Sequence, residues 1–189
     1  MQDKEKRIID AAVTLLSEKG YSNTTMQDIA EAAQVGKGTV YRIFESKDEM
    51  ISYLLSMYID EIAARIHAAL VKITDPMQKM RSIIRIELDY HDENPNLAQF
   101  MVRELLGTRK RFVEHIKKIR ESRLVVVEQI IRDGIKREQF KNVDPRTVAS
   151  GLEGMILASL VQWFLFTDEY PKDLIRENIE TLFFQGILT

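Results

Sequence analysis

The 189-residue sequence contains no cysteine, which excludes a disulfide framework, a thiolate metal site and cysteine catalysis, and which is typical of a reducing cytoplasm. Only four prolines and eight glycines occur, so few positions interrupt regular structure. Alternating polar and apolar runs of strand length are also absent, whereas apolar residues recur at three- and four-residue spacing almost throughout. We therefore predict an all-α fold of about nine helices.

A membrane span and a strong charge of one sign are missing as well. The longest uncharged apolar run, residues 154–166, is shorter than the roughly 20 residues that cross a bilayer, and we interpret it as a buried helix. The formal net charge is −2, and residues 1–50 hold seven Lys and Arg against nine Asp and Glu. A DNA-binding surface would therefore depend on the placement of individual charges, because an overall basic balance is lacking.

Capping residues and prolines predict where the helices begin. Thr25 with Asp28 three residues later predicts a capping box for a short second helix, and the turn at 34–36 leads into a third helix from about Lys37 to Phe44. Longer helices are predicted at about 46–73, from 76 to the Asn94-Pro95 break, from there to 106, and at 109–118, 121–138, 146–167 and 171–187. This order predicts a three-helix domain at 1–47 and a larger helical domain at 48–189.

The second and third helices have the spacing of a helix-turn-helix, in which the later helix enters the major groove of DNA. The outer face of the third helix carries polar and basic side chains, and between Lys37 and Lys47 the only acid is Glu45. A hydroxyl at the start of the second helix and a lysine at the start of the fourth are placed to contact phosphates. The predicted DNA-binding residues are Thr24, Thr25, Lys37, Gly38, Thr39, Tyr41, Arg42 and Lys47.

The first fifty residues resemble the tetracycline-repressor (TetR) family of bacterial regulators. The matching pattern is Ile8-Ile9-Asp10-Ala11-Ala12, Leu16, Gly20-Tyr21, Thr25, Ile29-Ala30, Ala33, Val35 to Tyr41, Phe44 and Lys47. The resemblance implies a homodimer that binds palindromic operator DNA through Thr25, Lys37, Thr39, Tyr41 and Lys47. It also implies a repressor that a small ligand releases by favouring a conformation with the recognition helices farther apart. One position departs from the family, because Ile43 stands where many members carry a histidine or an aromatic residue that reaches a phosphate.

Apolar stripes on the last two predicted helices indicate a dimer interface, which in the family is a four-helix bundle. The predicted interface residues are Val148, Leu152, Ile156, Ile175, Ile179, Leu182 and Phe183. The same stripes would also be explained by an intramolecular core, which is the commoner use of such patterns.

Flexible and aromatic side chains of the second domain predict a pocket for an apolar or amphipathic effector, because methionine adapts to varied ligands. The candidate pocket residues are Met57, Met80, Ile84, Phe100, Met101, Phe112, Met155 and Trp163. Each of them could instead be ordinary core. Residues 103–123 carry eight Lys and Arg against three acids, which is typical of a solvated face or of a surface that attracts an anionic ligand such as an acyl-coenzyme A.

Two other classes of function compete with DNA binding. A helical metal oxidase needs repeated Glu-x-x-His pairs, which are absent, and the single i,i+4 pair Glu87 and His91 is typical of a surface contact. No phosphate-binding glycine loop or nucleophile motif occurs, so we expect no enzyme, no metal and no cofactor. A helical protein-interaction adaptor without DNA binding is the remaining alternative, but it leaves Lys37 and Tyr41 without a role.

Overall fold

The computed structural model describes residues 2–106, 110–166 and 171–189, with all their side chains except those of residues 2, 105, 106, 110–116, 118 and 119. Within these ranges it contains nine α-helices and no strands, which confirms the all-α prediction. A π-helical segment, Gln162–Phe166, follows the eighth helix directly. The helices are α1 Gln2–Lys19, α2 Met26–Ala32, α3 Lys37–Ile43, α4 Lys47–Leu70, α5 Pro76–Glu93, α6 Pro95–Leu106, α7 Lys110–Lys136, α8 Pro145–Val161 and α9 Lys172–Ile187.

Helix α7 differs most from its prediction, because one continuous helix of 27 residues replaces two shorter ones. The predicted break near residues 119–120 is wrong. No glycine or proline lies between residues 112 and 133, and the lysines, arginines and glutamates there favour helix. The arginines on this helix are therefore spaced by the helical repeat along a single rod.

Side-chain caps set the helix starts that position the DNA-facing segment. The capping box of α2 is confirmed, since the Asp28 amide donates to Thr25 Oγ1 at 3.1 Å and the Thr25 amide donates to Asp28 Oδ2 at 2.8 Å. The hydrogen bond from the Thr25 amide is the main reason that the pKa of Asp28 is lowered. Ser46 caps α4 by accepting the Glu49 amide at 3.1 Å.

In the turn between α2 and α3, the residue with the left-handed backbone conformation is Gln34 and not Gly36. Gln34 adopts a left-handed conformation with φ of 54°, whereas Gly36 is extended with φ of −67°. The Val35 amide then donates to the carbonyl oxygen of Ala30 at 3.0 Å, as expected after a left-handed residue at a helix C-terminus. Gln34 therefore ends α2, and Gly36 leads directly into α3.

Two large apolar clusters form most of the core. The first joins α1, α2, α3 and the N-terminal half of α4 to residues of α5 and α6, including Tyr90, Leu97 and Phe100. The second joins α5, α7, α8 and α9. The three N-terminal helices are thus packed firmly on the following domain, and α4 and α5 contact both groups.

The run formed by α8 and the π-helical segment, Pro145–Phe166, is long and apolar enough to cross a membrane by length and composition alone, a test that core helices of soluble proteins also pass. Leu152, Ile156 and Leu160 place one of its faces in the second cluster. Only 22% of its most apolar stretch is buried within the chain. The expectation of a buried helix therefore holds for one face of this run. The rest of the apolar surface of the run is not covered by the same chain.

The packing of α7 against the segment that follows it predicts that adding one methyl group at Gly134 destabilises the fold. A Cβ at Gly134 would overlap the ring of Phe140, which is itself buried. Replacing Gly134 with alanine should lower the free energy of unfolding by about 1–3 kcal/mol despite the better helix propensity of alanine. Urea denaturation followed by circular dichroism at a fixed protein concentration measures this. Gly186→Ala is the control, because a Cβ there meets nothing within 4 Å, and equal stability of the two variants would contradict the packing argument.

Candidate nucleic-acid interface and effector cavity

Helix α3 presents a polar face to solvent and an apolar face to the core. Val40 is fully buried, while Lys37, Gly38, Tyr41 and Arg42 are exposed. The Tyr41 side chain is 44% exposed. The helix is therefore held by its inner residue and leaves its outer side chains free to enter a groove.

The outer face of α3 is locally basic. The Lys37 ammonium lies 5.8 Å from the centre of the Tyr41 ring, and neither Lys37 nor Arg42 has an ion-pair partner among the described residues. Thr39 is partly buried beside them. This local placement offsets the acidic balance of residues 1–50, because the potential at a groove depends on the charges that face it.

Two residues predicted to contact DNA make hydrogen bonds within the chain. Thr24 is fully buried, and its hydroxyl donates to the carbonyl oxygens of Leu15 and Gly20, so it is not available to a phosphate. The Lys47 ammonium donates to the carbonyl oxygens of Tyr21 and Thr24 at 2.7 Å each. The prediction for Thr24 is corrected, and in this conformation Lys47 fastens α4 to the loop before α2.

Thr25 and Ile43 lie at the edge of this face. The Thr25 side chain is exposed, and its oxygen accepts the Asp28 amide, so its hydroxyl proton can still be donated. Ile43 is partly buried and packs against the first cluster. The residue that departs from the family pattern therefore contributes an apolar contact, and Arg42 next to it is the exposed cation.

A cavity of about 530 Å³ lies between α4, α5, α7 and α8. Its closed end is formed by fully or almost fully buried residues, among them Ile83, Leu124, Ala149 and Leu152. Exposed residues of α4, of α7 and of the position directly after α4 border its mouth: Ala63, His67, Val71, Ser122 and Val126. The cavity has the size and mostly apolar lining of a small-molecule site.

One buried ion pair interrupts this apolar lining. Glu87 of α5 accepts a hydrogen bond from Arg123 Nη2 of α7 at 2.5 Å, and both residues line the cavity. The negative charge of Glu87 is the main reason that the pKa of Arg123 is raised. Arg123 therefore keeps its positive charge, and the pair is a charged element in a lining whose other polar residues are His67, Ser122 and Glu153.

The same carboxylate residue connects the cavity to α4 through a buried histidine. The backbone carbonyl of Glu87 contacts His91 Nδ1, and His91 Nε2 contacts the hydroxyl of Tyr58 on α4. Burial lowers the pKa of His91 and raises the pKa of the Tyr58 phenol, so both are neutral at pH 7. The interpretation of Glu87 and His91 as a surface pair is wrong, because both are buried.

Two family models together match most of the sequence. The model for bacterial regulatory proteins of the tetR family matches residues 8–54, and the model for the tetracyclin repressor-like C-terminal domain matches residues 74–187. The chain belongs to the tetR family. It is therefore a DNA-binding transcriptional regulator, as the resemblance of its first fifty residues implied, and the adaptor alternative has no support.

Several known regulators are similar to this TetR-family chain over nearly their full length. The fatty acid metabolism regulator protein of Bacillus subtilis is 24% identical, covering 97% of this chain and 95% of the relative. Among solved structures, the fatty acid degradation regulator FadR from Bacillus halodurans superposes with a TM-score of 0.90 at 22% identity, covering 97% and 95% of the two chains. FadR from Bacillus subtilis in complex with stearoyl-CoA gives a TM-score of 0.85 at 23% identity, covering 96% and 98%. These structural similarities establish the fold.

The cavity of this TetR-family chain is not lined by the residues predicted for an effector pocket. Met57, Phe100 and Met101 belong to or pack on the first cluster. Met80, Ile84, Met155 and Trp163 belong to or pack on the second, and the side chain of Phe112 lies outside the described residues. The amino-acid composition identified flexible apolar residues. It could not show which side of each helix faces the cavity. The sequence signal that was missed is Arg123 with Glu87, two charged residues that fall on the inner faces of their helices.

Most of the residues predicted for the dimer interface are core of a single chain. Those with almost no exposure are Leu152, Ile156, Ile175, Ile179 and Phe183, and Val148 packs partly buried beside them. Leu182, by contrast, is 64% exposed. The prediction is corrected for the buried residues, because each stripe has an inward face that the second cluster already covers.

The described residues contain no group of three or more His, Cys, Asp or Glu side chains that could hold a metal ion.

Gly38 provides a test of the α3 face that separates DNA contact from folding. It is exposed in the first turn of α3, and a Cβ there would meet nothing within 4 Å, so the protein itself gives no reason for glycine. Gly38→Ala should therefore keep or raise thermal stability, since alanine favours helix by about 1 kcal/mol. We expect it to weaken operator binding about tenfold or more in fluorescence anisotropy, because the added methyl group would hold the helix away from the DNA backbone or bases. Unchanged affinity would show that Gly38 does not approach the duplex.

Proposed function

We propose that this chain acts as a homodimeric repressor that binds palindromic operator DNA through its two α3 helices and leaves it when an amphipathic ligand occupies the cavity. The observation that carries this proposal is the span of α4, which begins beside the helix-turn-helix and borders the cavity at its other end. We place this function in the cytoplasm with the DNA, and we propose no catalysis.

The N-terminus of α4 is tied to the DNA-binding helices by polar contacts. Lys47 holds two carbonyl oxygens of the loop before α2, and the Tyr21 hydroxyl donates to Asp48 Oδ1 at 2.5 Å. Met50 and Leu54 continue the attachment in the first apolar cluster. A movement of this end of α4 must therefore carry the loop and α2 with it.

The C-terminal half of α4 forms a wall of the cavity through Ile66, Leu70 and neighbouring residues. A helix of 24 residues is roughly 36 Å long, so a small tilt caused at one end becomes a displacement at the other. A ligand can stabilise the tilted state only if it binds that state more tightly than the DNA-bound state. Reciprocally, operator DNA should weaken ligand binding.

The cavity lining supports a ligand with an apolar body, and the fatty acid metabolism regulator of Bacillus subtilis supports an acyl compound in particular. A structural neighbour holds stearoyl-CoA. The open mouth allows a large polar head to remain in solvent while the acyl chain enters. Arg120, which pairs with Glu153 at the edge of the cavity at 2.7 Å, is a cation positioned near such a head.

We propose that the dimer forms through the faces of α8 and α9 that the second cluster leaves uncovered. Phe166 and Leu182 are 71% and 64% exposed, and Leu174 is exposed near them in sequence. Gly154 and Ala158 are exposed on α8, which permits close approach of a partner helix. A single recognition helix reads few bases, whereas a dimer reads two half-sites one helical turn apart.

A cavity-blocking variant tests release by ligand. Operator sequences would be selected from random duplex DNA, and stearoyl-CoA would be titrated against the complex in an anisotropy assay. We expect release of the wild-type protein, and for Ala63→Phe, which places a ring at the exposed mouth, we expect unchanged DNA affinity with at least a tenfold weaker response. Equal release of both proteins would place the ligand elsewhere, and failure to select any DNA sequence would contradict the repressor itself.

The interface proposal predicts that Leu182→Glu converts the dimer to a monomer, because a charge would be buried without a partner. Sedimentation velocity at micromolar concentration measures the change. Val125→Glu, at a similarly exposed valine on α7, is the matched control and should remain dimeric. Ile179 is unsuitable for this test, since it is buried in the second cluster and a charge there would unfold the chain. A dimer that persists in Leu182→Glu would move the interface to another face.

A further inference from the structure

The guanidinium of Arg123 is a hydrogen-bond donor that the protein uses only in part. Arginine carries five N–H donors, and the only hydrogen bond of Arg123 within the described part of the chain goes from Nη2 to Glu87. The side chain is 27% exposed, whereas Leu124 next to it is almost completely buried. Arg123 lines the cavity, so a ligand there lies beside a side chain with donors that Glu87 does not use.

Glu87 determines which kind of acceptor these donors suit. Its carboxylate is almost fully buried and already balances the charge of Arg123, so the pair is neutral as a unit. Its second oxygen, Oε2, is buried and has no hydrogen-bond partner among the described residues. A ligand carboxylate beside Arg123 would bring a second negative charge next to this incompletely satisfied one. A neutral carbonyl oxygen would accept from Arg123 without that repulsion.

We propose that Arg123, neutralised by Glu87, is the specificity-determining residue of the cavity and donates a hydrogen bond to an uncharged carbonyl of the effector. The effector class is then an acyl ester, thioester or amide whose chain lies along the aliphatic wall. Free fatty acids with an ionised carboxylate are discriminated against. This inference rests on the proposed function of the cavity as the effector site.

Matched ligands and charge-altering variants test the assignment on the full-length protein. Isothermal titration at pH 7.5 would compare N-methyldecanamide, which offers a neutral carbonyl, with decanoate, which offers an ionised carboxylate on a chain of the same length. We expect the wild-type protein to bind the amide about tenfold or more tightly than decanoate. Glu87→Gln keeps an acceptor for Arg123 but removes the neutralising charge, and it should reverse the order so that decanoate binds more tightly.

A second variant keeps the test decisive if Glu87→Gln fails to fold. The double variant Glu87→Met with Arg123→Met replaces the buried pair by apolar side chains of similar size, a kind of exchange that buried ion pairs tolerate. It should bind the amide about tenfold more weakly than the wild-type protein does. Glu128→Gln is the control, because Glu128 is a shielded carboxylate on the same helix that pairs with Arg146 at 2.7 Å and does not line the cavity. Its ligand preference should match that of the wild-type protein.

The outcomes separate this inference from the proposed function. Binding of both acyl compounds with equal affinity, or the same ligand order in Glu87→Gln as in the wild-type protein, would overturn the role of Arg123 and leave the cavity as an acyl site. Failure of every acyl compound, stearoyl-CoA included, to bind the wild-type protein would overturn the acyl effector and with it this inference.

Discussion

Helix α4 must satisfy two environments with one rigid backbone, and the arrangement of the other helices follows from this constraint. Its first turns are held by Lys47 and Asp48 against the loop before α2, and its next turns are buried in the first apolar cluster. Its last turns border the cavity. Because α4 is one continuous helix without glycine or proline, a sharp kink within it is not expected, and the proposed release couples the cavity to the recognition helix through it. The buried contact of Tyr58 with His91 adds a polar tie at the middle of the same helix.

The cations of this protein have different roles that depend on where the fold places them. Lys37 and Arg42 lie on the outer face of α3 without acidic partners among the described residues, and they suit phosphates. Lys47 satisfies backbone carbonyls that a turn would otherwise leave to water. Arg123 lines the mostly apolar cavity, where its pairing with Glu87 offsets the cost of partly burying its charge. The net charge of the chain, which is −2, does not indicate these separate roles.

The parts of the fold that could be predicted were those governed by neighbouring residues. Capping by Thr25 and Ser46 involves atoms three residues apart, so the sequence contains both partners of each bond. The helix-turn-helix was recognisable because many residue types must coincide within about twenty positions. Thr24 was misassigned even there, since its hydroxyl is directed inward to Leu15 and Gly20, a contact that depends on how the loop folds back on α1.

The sequence by itself determined that the chain is helical, where most of its helices begin, and that its N-terminal residues bind DNA, because these properties depend on short-range hydrogen bonds and on a local pattern. The tertiary structure alone decided which apolar residues fill the core, which line the cavity and which remain uncovered. Leu152 and Leu182 are indistinguishable as leucines on apolar stripes, yet one is buried and the other is exposed. The difference arises from the rotation of each helix about its axis, which is fixed by packing against helices distant in sequence.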